Sequence, residues 1–466
     1  QTAHPPASCE TDLDVLAQAQ YASGIDLKQP PLIRLAVVHL PNRRHHLIMT
    51  THHLLLDGWS MSQMMGEVLR WYGNDAPATS GSRYRDFIAW LGERDQAASE
   101  TYWKERLRDV EEPTRLASVL PNSEQKPGYE LHACPLDSGF SNDLLRFAKR
   151  ERITVNTLMQ AAWALLLGHY TGQQMVTFGA TVAGRPADLP GSDQILGLFI
   201  NTLPVSIALR PELAIGEWLR DLQAQNLASR EHEHTPLYEI QRWLGQQRQG
   251  LFDTILVYEN YPVDEAFKQN MPGGLVFSGV KAREVTNYPM TVSIIENDGF
   301  SLHYSYACEN FSADTVRLIA AHVEQLLHTI IHGAAQCLGD MTLLNSTAWQ
   351  QLTDWGVNDT RYADGEPVHR LMERQAMERP DAIALIFGDT ELSYAQLNEQ
   401  VNRLAHQLIA LGVRPESRVG IAVERSVDMV VGLLATLKAG GAYVALDPDY
   451  PQERLNHMIT DSAIEL

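Results

Sequence analysis

From Ile33 to Leu446 the chain alternates two kinds of apolar patterning, and that rhythm restricts its fold more than any other feature. Short runs rich in β-branched residues read as strands, and the stretches between them repeat their apolar positions with helical period. Strands separated by helices make a mixed α/β body. Residues 33–40 and 46–51, around the polar Pro41-Asn42-Arg43-Arg44, predict a hairpin. Ser60 followed three residues on by Gln63 has the form of a capping box, so a helix is expected from there to Tyr72, stopped by Gly73-Asn74 and followed by a loop over 76–82. Further helices are expected over 84–95, 97–108, 141–151, 154–170, 212–231 and 312–332, with Ser141 and Thr154 as caps. Strands are expected over 175–181, 197–208, 251–258 and within 290–306, and Ala183-Gly184-Arg185-Pro186 breaks the first of them.

The composition shifts over 338–366, which is polar and turn-rich and reads as a linker. A second rhythm begins at Val368: helix 368–379, strand 382–387, the turn Gly388-Asp389-Thr390 and a further strand, helix 393–411, strand 418–423, helix 426–440, strand 442–446. This predicts the start of a parallel-sheet domain. The 466 residues allow two to four domains or lobes, and 44% hydrophobic content is enough to build cores. With 37 basic against 57 acidic residues the formal charge is −20, which argues against nucleic acid or an anionic membrane as partner. No charge-free apolar run reaches the ~18–20 residues of a spanning helix; the most apolar stretch, 429–446, is broken by Lys438 and Gly440-Gly441. Cys9, Cys134, Cys308 and Cys337 show no ligand spacing and read as isolated thiols of a cytoplasmic protein. The chain opens on Gln1 without a signal-peptide pattern, and 458–464 look like a helix end running into a strand, so a segment of a longer polypeptide is expected.

The sharpest chemical signal is His52-His53-Leu54-Leu55-Leu56-Asp57-Gly58-Trp59-Ser60. A histidine ending an apolar strand, with its orientation fixed locally, suits a general base near neutral pH. Asp57 could order the loop or pair with a distant arginine, and Gly58 permits unusual backbone angles. A packed histidine is the bland alternative. A metal site is disfavoured, because adjacent strand residues point to opposite faces and His52 and His53 cannot easily share an ion; no HExxH or Cys/His cluster occurs elsewhere.

His52-His53-xxx-Asp57-Gly58 resembles the signature of condensation domains from non-ribosomal peptide synthetases. In the same order, Tyr84-Arg85-Asp86-Phe87-Ile88-Ala89-Trp90, the stretch Gly197-Leu198-Phe199-Ile200-Asn201-Thr202-Leu203-Pro204, His234-Thr235-Pro236-Leu237 and Leu251-Phe252-Asp253 resemble four later motifs of that family. Leu392-Ser393-Tyr394-Ala395-Gln396-Leu397-Asn398 and the run from Leu437 to Pro451 resemble the first two motifs of an adenylation domain. That order sets the chain apart from epimerisation domains, which share the histidine pair. Heterocyclisation domains carry aspartates where this chain has His52 and His53.

The resemblance implies an α/β fold of two chloramphenicol-acetyltransferase-like lobes in a V, the amino-terminal lobe incomplete, then the beginning of an α/β adenylate-forming domain. The corresponding boundaries are 1–345 for the condensation domain, 346–366 for a linker and 367–466 for the truncated adenylation part. It implies a tunnel entered from both sides by the phosphopantetheine arms of upstream and downstream peptidyl carrier proteins, with no cofactor or metal held by the chain itself. His53 would be catalytic, accepting a proton from the acceptor amine or positioning it. His52 and Asp57 would be structural, and Gly58 would keep the tunnel clear. Arg185 is the candidate partner of Asp57, since a buried carboxylate needs one and arginine can supply two parallel hydrogen bonds. Asn201 would hydrogen-bond near the tunnel. The implied reaction is peptide-bond formation between a carrier-bound donor thioester and a carrier-bound amine, in biosynthesis of a lipopeptide, siderophore-like or other secondary metabolite. His53 to Ser60, Glu111-Glu112-Pro113-Thr114 and Val257-Tyr258-Glu259-Asn260-Tyr261-Pro262 look more like the subtype joining a D-configured donor to an L-acceptor; a starter type loading a fatty acyl group and an L-to-L type stay open. The adenylation part lacks the glycine-rich phosphate loop, so ATP and Mg belong only to a full-length adenylation domain. Two further alternatives are a stand-alone acyltransferase using a coenzyme A thioester and a non-catalytic module that recruits carrier proteins.

Overall fold

The computed structural model describes residues 10–41, 44–74, 81–120, 126–246, 250–259, 274–276, 279, 281, 283–296, 299–333, 336–358 and 365–466. Cys9 and residues 260–262 of the subtype motif lie outside that set. The chain divides into two compact units, Gln1–Asp354 and Trp355–Leu466.

The first unit opens with helix α1 (Glu10–Ala22) and the hairpin β1 (Ile33–Leu40) and β2 (Arg44–Thr51), antiparallel from Ile33↔Thr51 to Leu40↔Arg44. Period-2 alternation sends Val38 and Ile48 to one face, where they meet Leu13. The opposite face leaves Leu35, Val37 and Leu47 exposed. After the turn at 52–56 come α2 (Gly58–Tyr72), α3 (Tyr84–Gly92), α4 (Gln96–Arg106) and the single turn α5 (Leu116–Val119).

The rest of the unit is a six-stranded sheet and its helices: β3 (Tyr129–Pro135), α6 (Ser138–Glu151), α7 (Val155–Thr171), β4 (Met175–Val182), β5 (Asn201–Ala208), α8 (Ile215–Ser229), α9 (Leu237–Trp243), β6 (Thr254–Glu259), β7 (Met290–Glu296), β8 (Phe300–Ala307) and α10 (Ala313–His332). The strand order is β3-β8-β7-β6-β4-β5; β4–β6 and β6–β7 are parallel and the other pairs antiparallel. Helix α7 is apolar nearly all round and buried from Val155 to Leu167, apart from Asn156, which identifies it as a core helix rather than a surface one. With α6, α8 and α10 it packs the sheet into the main core, around Trp163, Trp218, Phe178 and Tyr304. The 183–200 connection between β4 and β5 is long for an antiparallel pair, and it carries much of the site.

Several expectations need correction. Ser60 is not the cap of α2: Asp57 is, its Oδ1 accepting from the Ser60 amide at 2.7 Å. Ser141 caps nothing either; Asp137 caps α6, and the Ser141 hydroxyl accepts from the Phe300 amide. Residues 197–200 are not strand, because backbone groups of 197–199 bond to side chains of α2, of its cap Asp57 and of α3 instead of a ladder. The 346–366 stretch contains helix α11 (Ser346–Gly356).

The second unit holds α12 (Val368–Glu378), β9 (Ile383–Phe387), β10 (Thr390–Ser393), α13 (Tyr394–Ala410), β11 (Arg418–Ile421), α14 (Val427–Lys438), β12 (Ala442–Ala445) and α15 (Gln452–Ser462). Only β11–β12 is parallel; β9–β10 is an antiparallel hairpin forming its own sheet, so the alternation did not produce one continuous parallel sheet. Ser393 caps α13 in a true capping box with Gln396. The unit has its own core, centred on Leu397, Val401, Val431 and Ala435.

Candidate active site

The hairpin delivers the histidines. His52 directly follows β2, its amide donating to Leu32 O, and its carbonyl accepts from Leu55 N to close a turn. Its Nδ1 accepts from the Leu54 amide at 3.1 Å, so the ring is spent on holding the turn. His53 is the next residue, exposed, with no hydrogen bond or ion pair to any described residue. The turn thus separates a tethered ring from a free one.

The other end of the loop is fixed by Asp57, whose side chain is 1% exposed. Its Oδ1 receives the Ser60 amide and Arg185 Nη2 at 3.3 Å, and its Oδ2 receives the Phe199 amide at 3.0 Å. Its own amide donates to Gly197 O. Arg185 is therefore beside Asp57, with a single hydrogen bond instead of two parallel ones. Its other terminal nitrogen, Nη1, goes to the carbonyls of Ser192 and Ile195, and the guanidinium lies 4.1 Å from the Phe199 ring centre. Burial pushes the guanidinium pKa down while Asp57 and Asp193 hold it up. The pair satisfies a carboxylate that water cannot reach.

Gly58 is the first residue of α2 and is not among the glycines of positive φ, so the unusual backbone angle falls elsewhere. It falls at Gly184, where φ is +61° and an added Cβ would sit 1.9 Å from Phe199 O. Asn201, at the start of β5, donates from Nδ2 to the carbonyls of Glu233 (2.8 Å) and Thr235 (2.6 Å). It ties the turn before α9 to the sheet edge, two residues from the Phe199 amide that Asp57 holds.

Residues beyond the expected set complete the arrangement. Tyr84 donates its hydroxyl to Leu198 O at 2.7 Å and packs against Phe87 and Phe199. Burial, then the charge of Asp57, raises its pKa. Trp59 Nε1 and Gln63 Nε2 both donate to Asp193 O. Asp253 of the last motif lies apart, capping α5 through the amides of Leu116 and Ala117. Among the described residues no group of three or more His, Cys, Asp or Glu is arranged to hold a metal, and no helix is long and apolar enough to cross a membrane. A surface cleft lined by Gln396, Glu399, Arg403 and Gln407 belongs to the second unit and contains none of these residues.

Comparison with known proteins gives the family. Residues 4–353 match the family model described as condensation domain, and residues 372–466 match the AMP-binding enzyme model. The chain belongs to the condensation domain family of non-ribosomal peptide synthetases and runs on into the start of an AMP-binding domain. It is 40% identical over 464 residues to one of the linear gramicidin synthase proteins of Brevibacillus parabrevis, covering 97% of this chain and 9% of that protein. It is 33% identical over 468 residues to bacitracin synthase 3 of Bacillus licheniformis, covering 98% and 7%. The chain thus spans a small fraction of these relatives. In fold it is similar to a four-domain nonribosomal peptide synthetase bound to AMP and glycine (TM-score 0.66, 20% identity, 100% of this chain and 37% of that one). The X-domain from teicoplanin biosynthesis is a further likeness (TM-score 0.63, 22%, covering 74% and 81%).

Proposed function

We propose that this chain joins a donor acyl or peptidyl thioester to the amine of an acceptor aminoacyl group, both carried on phosphopantetheine arms of peptidyl carrier proteins, with His53 as the catalytic residue. The observation that carries the reading is the contrast within one loop: His53 is exposed and has no polar partner among the described residues, while Asp57, four residues on, is buried and held by three hydrogen bonds. A base must be free to reach the reacting amine and must be held by a loop that does not move.

In this mechanism the acceptor nitrogen attacks the thioester carbonyl, the C–N bond forms and the C–S bond breaks. The proton leaves the nitrogen for the His53 ring and passes on to the departing thiolate. A thioester is already activated, so orientation of two tethered reactants can supply much of the acceleration. A positioned base contributes typically ~10²–10⁴-fold. His52, Asp57 and Arg185 would act by holding the loop. Donors of D configuration are the preferred substrates in this reading, on the sequence likeness of the signature, and the product is a peptide secondary metabolite.

The test supplies a D-ended donor on one carrier protein and an L-aminoacyl group on the other, and follows dipeptidyl-carrier formation by mass spectrometry. Product from the wild type that falls at least ~100-fold in His53→Ala is expected, and a matched L-donor settles the subtype. Carrier binding without product from any donor would favour a recruiting module and remove the catalytic role. Turnover of acyl-coenzyme A in place of the carrier would favour the stand-alone acyltransferase.

A further inference from the structure

A serine hydroxyl can donate one hydrogen bond and accept two. Ser60, on the first turn of α2, is fully buried and uses all three. Its Oγ donates to Gly197 O at 2.7 Å, accepts from the Gly197 amide at 3.1 Å and accepts from Arg185 Nη2 at 2.7 Å. Both backbone groups of one residue, 137 positions away, close on a single oxygen. Ser60 is also the nearer partner of Arg185: the same Nη2 stands 3.3 Å from Asp57. Its own amide meanwhile fills one site on Asp57 Oδ1.

We propose that Ser60 is a positioning residue for His53, the point at which α2 locks the 183–200 connection and so fixes the far end of the histidine loop. The role rests on His53 being the base. The loop has two anchors, His52 directly after β2 and the cap at Asp57. The Asp57 side chain faces three partners, two of which, Arg185 and the Phe199 amide, belong to the 183–200 connection, and its amide adds Gly197 O. Ser60 holds that connection directly through Gly197 and indirectly through Arg185. Without the hydroxyl, both Gly197 groups lose a partner in a site closed to water, and Arg185 is left with only the longer contact on this side. Threonine alone carries the same hydroxyl on so short a side chain, and it adds a methyl group at a fully buried position; alanine offers nothing, and cysteine only a weak donor and acceptor on a longer bond.

Ser62 provides the internal control. It is also buried, but its hydroxyl donates within its own helix, to Gly58 O at 3.0 Å. In the two-carrier assay, Ser60→Ala is expected to lower kcat about 10–100-fold, the scale of a misplaced base, with the KM for each carrier within about twofold and an altered pH–rate profile. Ser62→Ala is expected to leave kcat within about twofold. Amide hydrogen exchange is read in parallel: Ser60→Ala should raise exchange over 52–57 and 193–199, and Ser62→Ala should not. Ser60→Cys, which keeps the volume and a weak donor, should fall between wild type and alanine and covers the case in which the alanine variant fails to fold. Equal kcat in Ser60→Ala and wild type, an equal loss in Ser62→Ala, or unchanged exchange over 52–57 would overturn the proposal. Should the wild type itself form no product, the catalytic reading falls, while the exchange data still decide whether Ser60 holds the loop.

Discussion

A single methyl group at Gly184 tests how tightly the site is built. The backbone there has φ +61°, and an added Cβ would stand 1.9 Å from Phe199 O, a backbone atom that cannot rotate aside. Strain in the left-handed region alone costs roughly 1–2 kcal/mol. The clash adds to that by pushing Phe199 away, and the Phe199 amide is the donor that Asp57 Oδ2 relies on. Gly184→Ala should therefore lower both the urea midpoint and kcat. Gly172→Ala has comparable strain, φ +72°, but meets nothing within 4 Å. It should lower stability by about 1 kcal/mol and leave turnover unchanged; parallel loss of activity in both would show that the Phe199 contact is immaterial. At this scale the sequence is partly legible. The need of a buried carboxylate for a cation points to Arg185, because that rule holds wherever the partner lies in the chain. Ser60 has the sequence pattern of a cap because capping patterns look only three residues ahead, whereas its real partner is Gly197.

Among the elements, the turn before α9 is built to respond to a change of pH. His232 Nδ1 and His234 Nε2 both approach Ser99 Oγ on α4, at 3.2 and 3.4 Å, and the His232 ring stacks on Tyr102 at 4.2 Å. Two neutral imidazoles suit one hydroxyl, which donates to one ring and accepts from the other. A doubly protonated ring cannot accept. Burial lowers the pKa of both; Glu231 opposes this at His232, whereas His232 and Arg94 reinforce it at His234 against Asp188. A histidine with depressed folded-state pKa binds fewer protons folded than unfolded. Stability is then fully present above the unfolded value of about 6.5 and is lost as pH falls below it. Thermal unfolding of the wild type should therefore drop between about pH 7.5 and 5.5 by more than that of a His232→Gln/His234→Gln variant. Equal drops would mean that the turn does not sense protons. Nothing in the local pattern announces this cluster, since Ser99 stands 133 residues from His232. The helices α7 and α10, by contrast, are readable nearly to the residue, because Thr154 and Ser312 cap them with their own side chains.

On the scale of the whole molecule, the two units have separate cores, one around α7 and the six-stranded sheet and the other around α13 and α14. No buried residue belongs to both. Cooperative unfolding propagates through shared packing, so a chain whose two units each have their own main core is not expected to melt as one two-state unit. The change of rhythm at Val368 makes the division visible in the sequence, because an apolar period that stops and restarts marks where one buried surface ends and another begins. The strand pairing inside each unit is less visible: alternation identifies strands, but not which strand lies beside which, and β9–β10 could pair with each other instead of joining β11 and β12. The division itself can be tested. Leu166 is wholly buried in the first core and Leu397 is 4% exposed in the second. Truncating either to alanine removes about 2–5 kcal/mol from the core that holds it. Calorimetry should resolve two transitions, with Leu166→Ala lowering one and Leu397→Ala the other. If each substitution lowered every transition equally, the two cores would be energetically one. Loss of the proposed peptide-bond formation should follow the transition of the first unit alone, since His53, Asp57, Ser60 and Arg185 all lie within the unit that ends at Asp354.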